Sequence, residues 1–220
     1  MVVAWSGGKD SALAVAALQA DLGYRVIALL TTLTTGYDRV SIHGIRRSVL
    51  EAQVAALRLP FYEARIPPAA TNAVYEDAFA RALDDIRASQ AGVRHIAFGD
   101  LFLTEVRAYR EVLLARVGWT GVFPLWGRDT AVLARECVTT GYRATLCCVD
   151  TTLLDAGFAG RAYDLELLRE LPASVDPCGE RGEFHTCVSA GPIFRHPISV
   201  RPGERVLRDH RFQYCDLQLG

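Results

Sequence analysis

The chain has 220 residues, half of them hydrophobic, and its 24 basic and 25 acidic side chains leave a formal charge of −1. That balance excludes a disordered chain and leaves no electrostatic footprint for a long nucleic-acid groove. The apolar run at 26–30 is too short to span a bilayer, and residues 1–5 show neither the basic stretch nor the cleavage site of a signal peptide. The expected setting is therefore the cytoplasm, without membrane or nucleic-acid partners.

Apolar residues 2–5 form a run of buried-strand length. Residues 9–22 then read as a helix, with Leu13, Ala16, Ala17 and Ala20 on one side and Gly23 beyond the end. A second strand is expected over 25–32, and an amphipathic helix over 42–58, closed before Pro60. A third helix is expected over 71–90, a strand over 95–98 ending at Gly99 and Asp100, and a helix over 104–117. Residues 122–127 read as a junction, followed by a helix over 129–140, a strand through Cys147 and a turn-dense tail of short β runs. No internal repeat or low-complexity tract interrupts this order.

Strands separated by helices imply an α/β fold, a doubly wound parallel sheet with right-handed crossovers. The expected division is a nucleotide domain over 1–125 and a smaller α+β lobe over 126–220. In such sheets ligands bind at the carboxyl ends of the strands, where the strand order reverses.

Six cysteines are present, but no CxxC pair, and the chain has apolar residues enough not to need a disulfide framework. Cys178, His185 and Cys187 resemble metal ligands in type, yet no second close pair accompanies them, so no residue is assigned to a resident metal.

The first strand runs into Ser6, Gly7, Gly8, Lys9, Asp10 and Ser11, where a helix begins. Two glycines permit a tight turn that exposes consecutive N–H groups, and the helix start adds unsatisfied donors and a positive dipole end. Lys9, the single lysine among the 24 cations, adds a compact point charge. The Ser6 and Ser11 hydroxyls can bond phosphate oxygens. This is an anion site, and it is shorter than the GxxxxGK[ST] loop.

The SGGKDS run resembles the pyrophosphate loop of the ATP pyrophosphatase superfamily, which cleaves ATP between the α and β phosphates. Further runs follow in order: GDLF at 99–102, RAYRE at 107–111, PLWG at 124–127, DPCGERGEFHT at 176–186 and GPIF at 191–194. As a set they resemble the diphthine–ammonia ligase family, from Ser6 to about Pro197, with GERGEFHT the most specific part.

The resemblance implies a two-lobed, adenine nucleotide alpha hydrolase-like (Rossmann-like) enzyme that uses ATP and Mg²⁺. It would activate a carboxylate as an acyl-adenylate and amidate it with ammonia, the protein acceptor being of the elongation factor 2 type. Ser6, Gly7, Gly8, Lys9, Asp10 and Ser11 would hold the phosphates. Thr31, Thr32, Gly99 and Asp100 would border the adenine, with His43 near the nucleotide. Glu180, Glu183, His185 and Thr186 would form the acceptor site, with Glu180 and Glu183 holding ammonium and His185 taking its proton. Lys9 and Asp10 complete the expected catalytic set.

Residues 40–47 look more like the short bacterial relatives than the archaeal or eukaryotic enzymes, and a host without diphthamide would require another carboxylate. A tRNA thiolase would share the loop but need a persulfide-carrying cysteine or CxxC pair and a basic surface. An adenylylsulfate reductase would need an activated cysteine near the carboxyl end, where only Cys215 stands. A regulatory module that binds ATP without turnover would have no need of the acidic, histidine-bearing motif.

Overall fold

A computed structural model describes every residue except Leu22, which lies at the end of the helix expected over 9–22 and so falls outside the described residues. The elements follow in the order β1 (Val2–Ala4), α1 (Lys9–Ala20), β2 (Ala28–Thr34), β3 (Arg39–Val40), α2 (Arg47–Leu57), β4 (Phe61–Ile66), α3 (Asn72–Ser89) and β5 (His95–Ala97). Then come α4 (Thr104–Arg116), β6 (Thr120–Val122), α5 (Thr130–Thr139), β7 (Arg143–Asp150), α6 (Leu165–Glu170), β8 (Phe184–Ala190), β9 (Val200–Arg208) and β10 (Phe212–Leu219). Among the described residues no helix is long and apolar enough to cross a membrane.

The parallel strands lie in the order β4-β2-β1-β5-β6, with β3 antiparallel to the end of β2. Leu33 and Thr34 pair with β4 on one edge and with β3 on the other, so β3 occupies the lane beyond the carboxyl end of β1. The chain leaves β1 toward β2 and later returns to its other side as β5. The order therefore reverses between β1 and β5, which is where a doubly wound sheet opens a crevice for ligands. The second sheet is antiparallel, in the order β8-β7-β10-β9.

Alternate residues of the parallel strands feed two cores, as the period of a strand requires. Val3, Leu29 and Ala97 join a core shared with α1, α2 and the antiparallel sheet, including Leu146, Val149, Phe184 and Val188. Val2, Leu30 and Ile96 join the opposite core with Phe79, Leu83 and Ile86 of α3 and with Leu113 and Leu114 of α4. Both faces are covered, so these strands read as apolar runs rather than alternating ones. Helix α1 is buried along most of its length, and its small residues let the two lobes close upon it.

Three expectations change. The second strand runs from Ala28 to Thr34 rather than over 25–32, because the return of β3 extends its pairing. The helix expected over 42–58 begins at Arg47, since Ile42 and Gly44 hold φ of 66° and 69° and turn the chain before it. Strands β3, β4 and β6 were not anticipated as separate elements. Two of them have only two or three residues, and the polar Glu63 and Arg65 hide the third.

Candidate active site

The loop after β1 is shaped by two glycines for different reasons. Gly7 has φ of 80°, and a Cβ there would lie 2.7 Å from Gln53 Oε1. At Gly8 a Cβ would meet the Thr186 carbonyl at 3.0 Å and His43 Nε2 at 3.2 Å. The turn is held by Ser6 Oγ, which accepts from the Gly8 N–H at 3.2 Å, and by Ser11 Oγ, which donates to the Gly8 carbonyl at 2.9 Å. The two hydroxyl oxygens lie 3.3 Å apart on the cavity wall. From α2, Gln53 donates to the Gly7 carbonyl at 3.0 Å and to the Val188 carbonyl at 2.7 Å, while accepting from Trp5 Nε1 at 3.2 Å.

Lys9 is nearly inaccessible, at 1 %. Its ammonium donates to Asp10 Oδ1 at 2.7 Å and to the Cys178 carbonyl, 5.5 Å from the Tyr163 ring centre and 5.8 Å from that of Phe184. Burial opposes this charge most strongly, but the Asp10 carboxylate with its hydrogen bond and the nearby Cys178 and Cys137 together outweigh it and hold the ammonium above its ordinary range. Burial likewise raises the Asp10 carboxyl, with Lys9 drawing it back. The lone lysine is thus a fixed charge in the wall, not a mobile arm. Its backbone N–H donates to Thr186 Oγ1 at 3.0 Å, so the buried Thr186 fastens the loop to β8.

At the other strand ends the expected residues divide. Thr31 is buried, and its hydroxyl donates to the Trp5 carbonyl at 2.5 Å, binding β2 to β1. Thr32 is half-buried on the cavity wall. Gly99 packs against the first turn of α1, where a Cβ would come within 2.7 Å of the Asp10 carbonyl carbon. Asp100 pairs with Arg110 of α4 at 2.7 Å, and Arg110 in turn lies over the Phe98 ring at 4.3 Å.

The segment 176–186 faces the loop from the second lobe. Glu180 Oε1 accepts from the N–H groups of Leu101 at 2.7 Å and Phe102 at 3.3 Å, which ties this segment to the end of β5. Burial raises the Glu180 carboxyl to about 7, helped by Asp10 and Asp100 and opposed by those two N–H bonds. Glu183 is different. Its oxygens accept from the N–H of Asp176 and of Arg181, both at 2.9 Å, and it is 2 % exposed. Glu183 therefore braces the turn and offers no free oxygen to an ammonium ion. His185 stands on the wall beside His43, which arrives from the turn before α2, and their ring centres are 4.5 Å apart. Burial, and then the Lys9 charge, bring His185 down to about 4.

Ser6, Lys9, Asp10, Ser11, Thr31, Thr32, His43, Gly99, Asp100, Glu180, His185 and Thr186 all line one cleft of about 770 Å³. That is ample for a nucleotide beside a second substrate. Gly7, Gly8 and Glu183 support it from behind. Gln53, Tyr75, Arg110 and the Asp150–Arg211 pair, which spans 2.5 Å at the rim, were not anticipated. Two of these carry a signal in the sequence: Arg110 lies in the RAYRE run, and Gln53 falls with Val49, Leu50 and Ala56 on the buried stripe of α2, where an amide must have partners.

Residues 129–218 match the family model described as the diphthamide synthase C-terminal domain. The chain is also 24 % identical over 231 residues to a diphthine–ammonia ligase of Schizosaccharomyces pombe, an alignment covering 97 % of this chain and 38 % of that protein. The chain thus spans well under half the length of that relative. The chain is thus similar to the diphthamide synthase C-terminal domain over residues 129–218 and, along nearly its whole length, to part of that diphthine–ammonia ligase.

Proposed function

We propose that this protein is an ATP-dependent, AMP-forming carboxylate–ammonia ligase of the cytoplasm. A carboxylate oxygen attacks the α phosphorus of ATP, and the bond to the α–β bridging oxygen breaks with release of pyrophosphate. The nitrogen of ammonia then adds to the acyl carbon. The bond from that carbon to AMP breaks, one proton leaves the nitrogen, and an amide remains.

The observation that carries this reading is a single cleft with unlike walls. One wall is the glycine loop and helix start at the point of strand reversal, and the other is the Glu180–His185 segment of the second lobe. Ser6 and Ser11 at the helix start would bind phosphate oxygens, with Lys9 lending its buried charge. Thr32, Gly99 and Asp100 would border the adenine. Thr31 and Thr186 act through the backbone they hold. Asp10 is the carboxylate at the loop able to join phosphate oxygens in holding Mg²⁺, which when bound would offset the charge on the triphosphate.

Glu180 suits the proton from nitrogen better than His185 does, because a base is most effective when its pKa lies near the working pH. His185 stays uncharged beside it. The acceptor is proposed to be diphthine on an elongation factor 2 type protein, as the relative's name suggests, or another carboxylate in a host without it.

The test is to identify the nucleotide products formed from ATP, Mg²⁺ and ammonium, with and without a diphthine-bearing elongation factor. AMP and pyrophosphate that depend on the factor support both chemistry and acceptor. AMP without that dependence keeps the chemistry and moves the search to another carboxylate. ADP, or no turnover under any condition, overturns the reading.

A further inference from the structure

The turn between β3 and α2 is left-handed on both sides of one residue, and strained at Ile42. Ile42 holds φ of 66° although it is β-branched, and Gly44 holds φ of 69° against the Tyr214 ring, where a Cβ would come within 2.6 Å. A left-handed conformation costs a residue with a Cβ about 1–2 kcal/mol. Ile42 recovers little of this by packing, since it is 65 % exposed. The turn is nevertheless clamped to the second lobe: Arg39 and Arg46 both reach Asp216, at 2.9 and 2.6 Å. What this arrangement delivers is His43, placed against His185 with ring centres 4.5 Å apart and planes inclined at 38°.

Both rings line the cleft next to the glycine loop. Burial, then the neighbouring His185, and last the Lys9 ammonium disfavour a charge on His43, while the Ser41 carbonyl favours a proton on its ring. Burial, and then Lys9, act on His185 in the same sense. Two uncharged imidazoles each present a ring nitrogen able to accept a hydrogen bond. Asp10, paired with Lys9, and Asp100 and Glu180 line the same cleft, but the imidazole pair itself carries no negative charge, so it offers hydrogen-bond acceptors and no counter-ion.

We propose that His43 and His185 together form the seat of the amine substrate, binding ammonia in its neutral form. The assignment rests on the ligase reading, and it moves His43 from the nucleotide to the nitrogen donor. Its chemical sense lies in the lone pair. A carboxylate seat would hold ammonium, which has none to give, whereas two neutral acceptors take N–H donors from ammonia and leave its lone pair free to face the acyl carbon.

The experiment is an NMR titration of protein labelled with ¹⁵N-histidine. Ammonium chloride is added at two pH values that change the neutral fraction, against potassium chloride of equal ionic strength. The ring nitrogens of His43 and His185 are expected to shift together, saturably, and in proportion to neutral ammonia. In His43→Asn the response of His185 should require about tenfold more ammonia, the loss of one hydrogen bond, while ATP affinity holds. His185→Asn, read at the His43 ring, gives the same measurement if the first variant does not fold.

Rings that do not respond, a response that follows total ammonium, or a His43→Asn loss confined to ATP affinity would each overturn the proposal. A wild-type protein that binds ammonia at this pair but never ATP would instead refute the ligase reading alone.

Discussion

The backbone N–H of Lys9 donates to Thr186 Oγ1 at 3.0 Å, joining residues 177 apart in the chain. The first N–H of α1 is therefore taken by a strand of the other lobe, which fixes the loop beside it. Thr186→Val keeps the shape of the side chain and deletes the acceptor. Leaving that buried N–H unmatched should cost about 1–3 kcal/mol in stability and weaken ATP binding. Urea unfolding and an ATP titration on the same variant check it, and undiminished ATP affinity would separate the bond from nucleotide binding.

Gln53 makes a stronger case for a purely architectural amide. It is fully buried and ties together the Gly7 carbonyl, the Val188 carbonyl and the Trp5 indole. Gln53→Leu strands the Val188 carbonyl and the indole N–H, so the urea midpoint should drop by the equivalent of about 2–4 kcal/mol. Gln53→Glu should be no rescue, because a carboxylate cannot donate to the two carbonyls.

At Gly99 the constraint is steric. A methyl group would come within 2.7 and 2.8 Å of the Asp10 carbonyl carbon and oxygen, and backbone cannot swing aside as a side chain can. Gly99→Ala should cost about 1–3 kcal/mol through overpacking and shift α1 away from β5. A lowered melting temperature together with reduced ATP affinity is expected, and a variant as stable as the parent would show that the crevice can widen freely.

Glu180 links pH to both rate and stability. Its carboxyl is raised to about 7 in the folded state, chiefly by burial, from an ordinary value near 4.5. The folded protein thus holds this proton more tightly than the unfolded chain. The resulting stabilisation is present below the unfolded value and is lost as pH rises through 7. Glu180→Gln keeps an oxygen for the Leu101 and Phe102 N–H groups, and it should equal or exceed the parent's stability above pH 7. Amide formation in the parent should climb with an apparent pKa near 7, and the variant should lose that limb. A rate profile unchanged by the substitution would remove Glu180 as the base.

How much was legible in the chain depends on the range of the interactions. Residues 6–11 lie within one strand–turn–helix unit, so the loop and its candidate phosphate-binding groups stand together in the sequence. Gly99 and Asp100 likewise lie just past the end of β5, a position that the strand pattern alone gives. Helix α2 begins at Arg47 rather than at 42 because Ile42 and Gly44 turn the chain, although Ile42, Ile45 and Val49 recur at helical spacing, and the flanking Arg39 and Arg46 are held by Asp216 of the last strand. Strand β4 escaped notice because Glu63 and Arg65 lie on a sheet edge, where charges are tolerated.

The sequence by itself determined the alternation of elements and the glycine loop at a strand end, since these depend on local periodicity and backbone freedom. Only the tertiary structure decided what the other candidates do. It turned Glu183 inward onto the N–H groups of Asp176 and Arg181, buried Lys9 against Asp10 and brought His43 to His185. A charged or hydroxyl side chain looks alike in sequence whether it faces a substrate or a backbone amide. The choice is made by burial, because a polar group removed from water must find its partner wherever the fold places one.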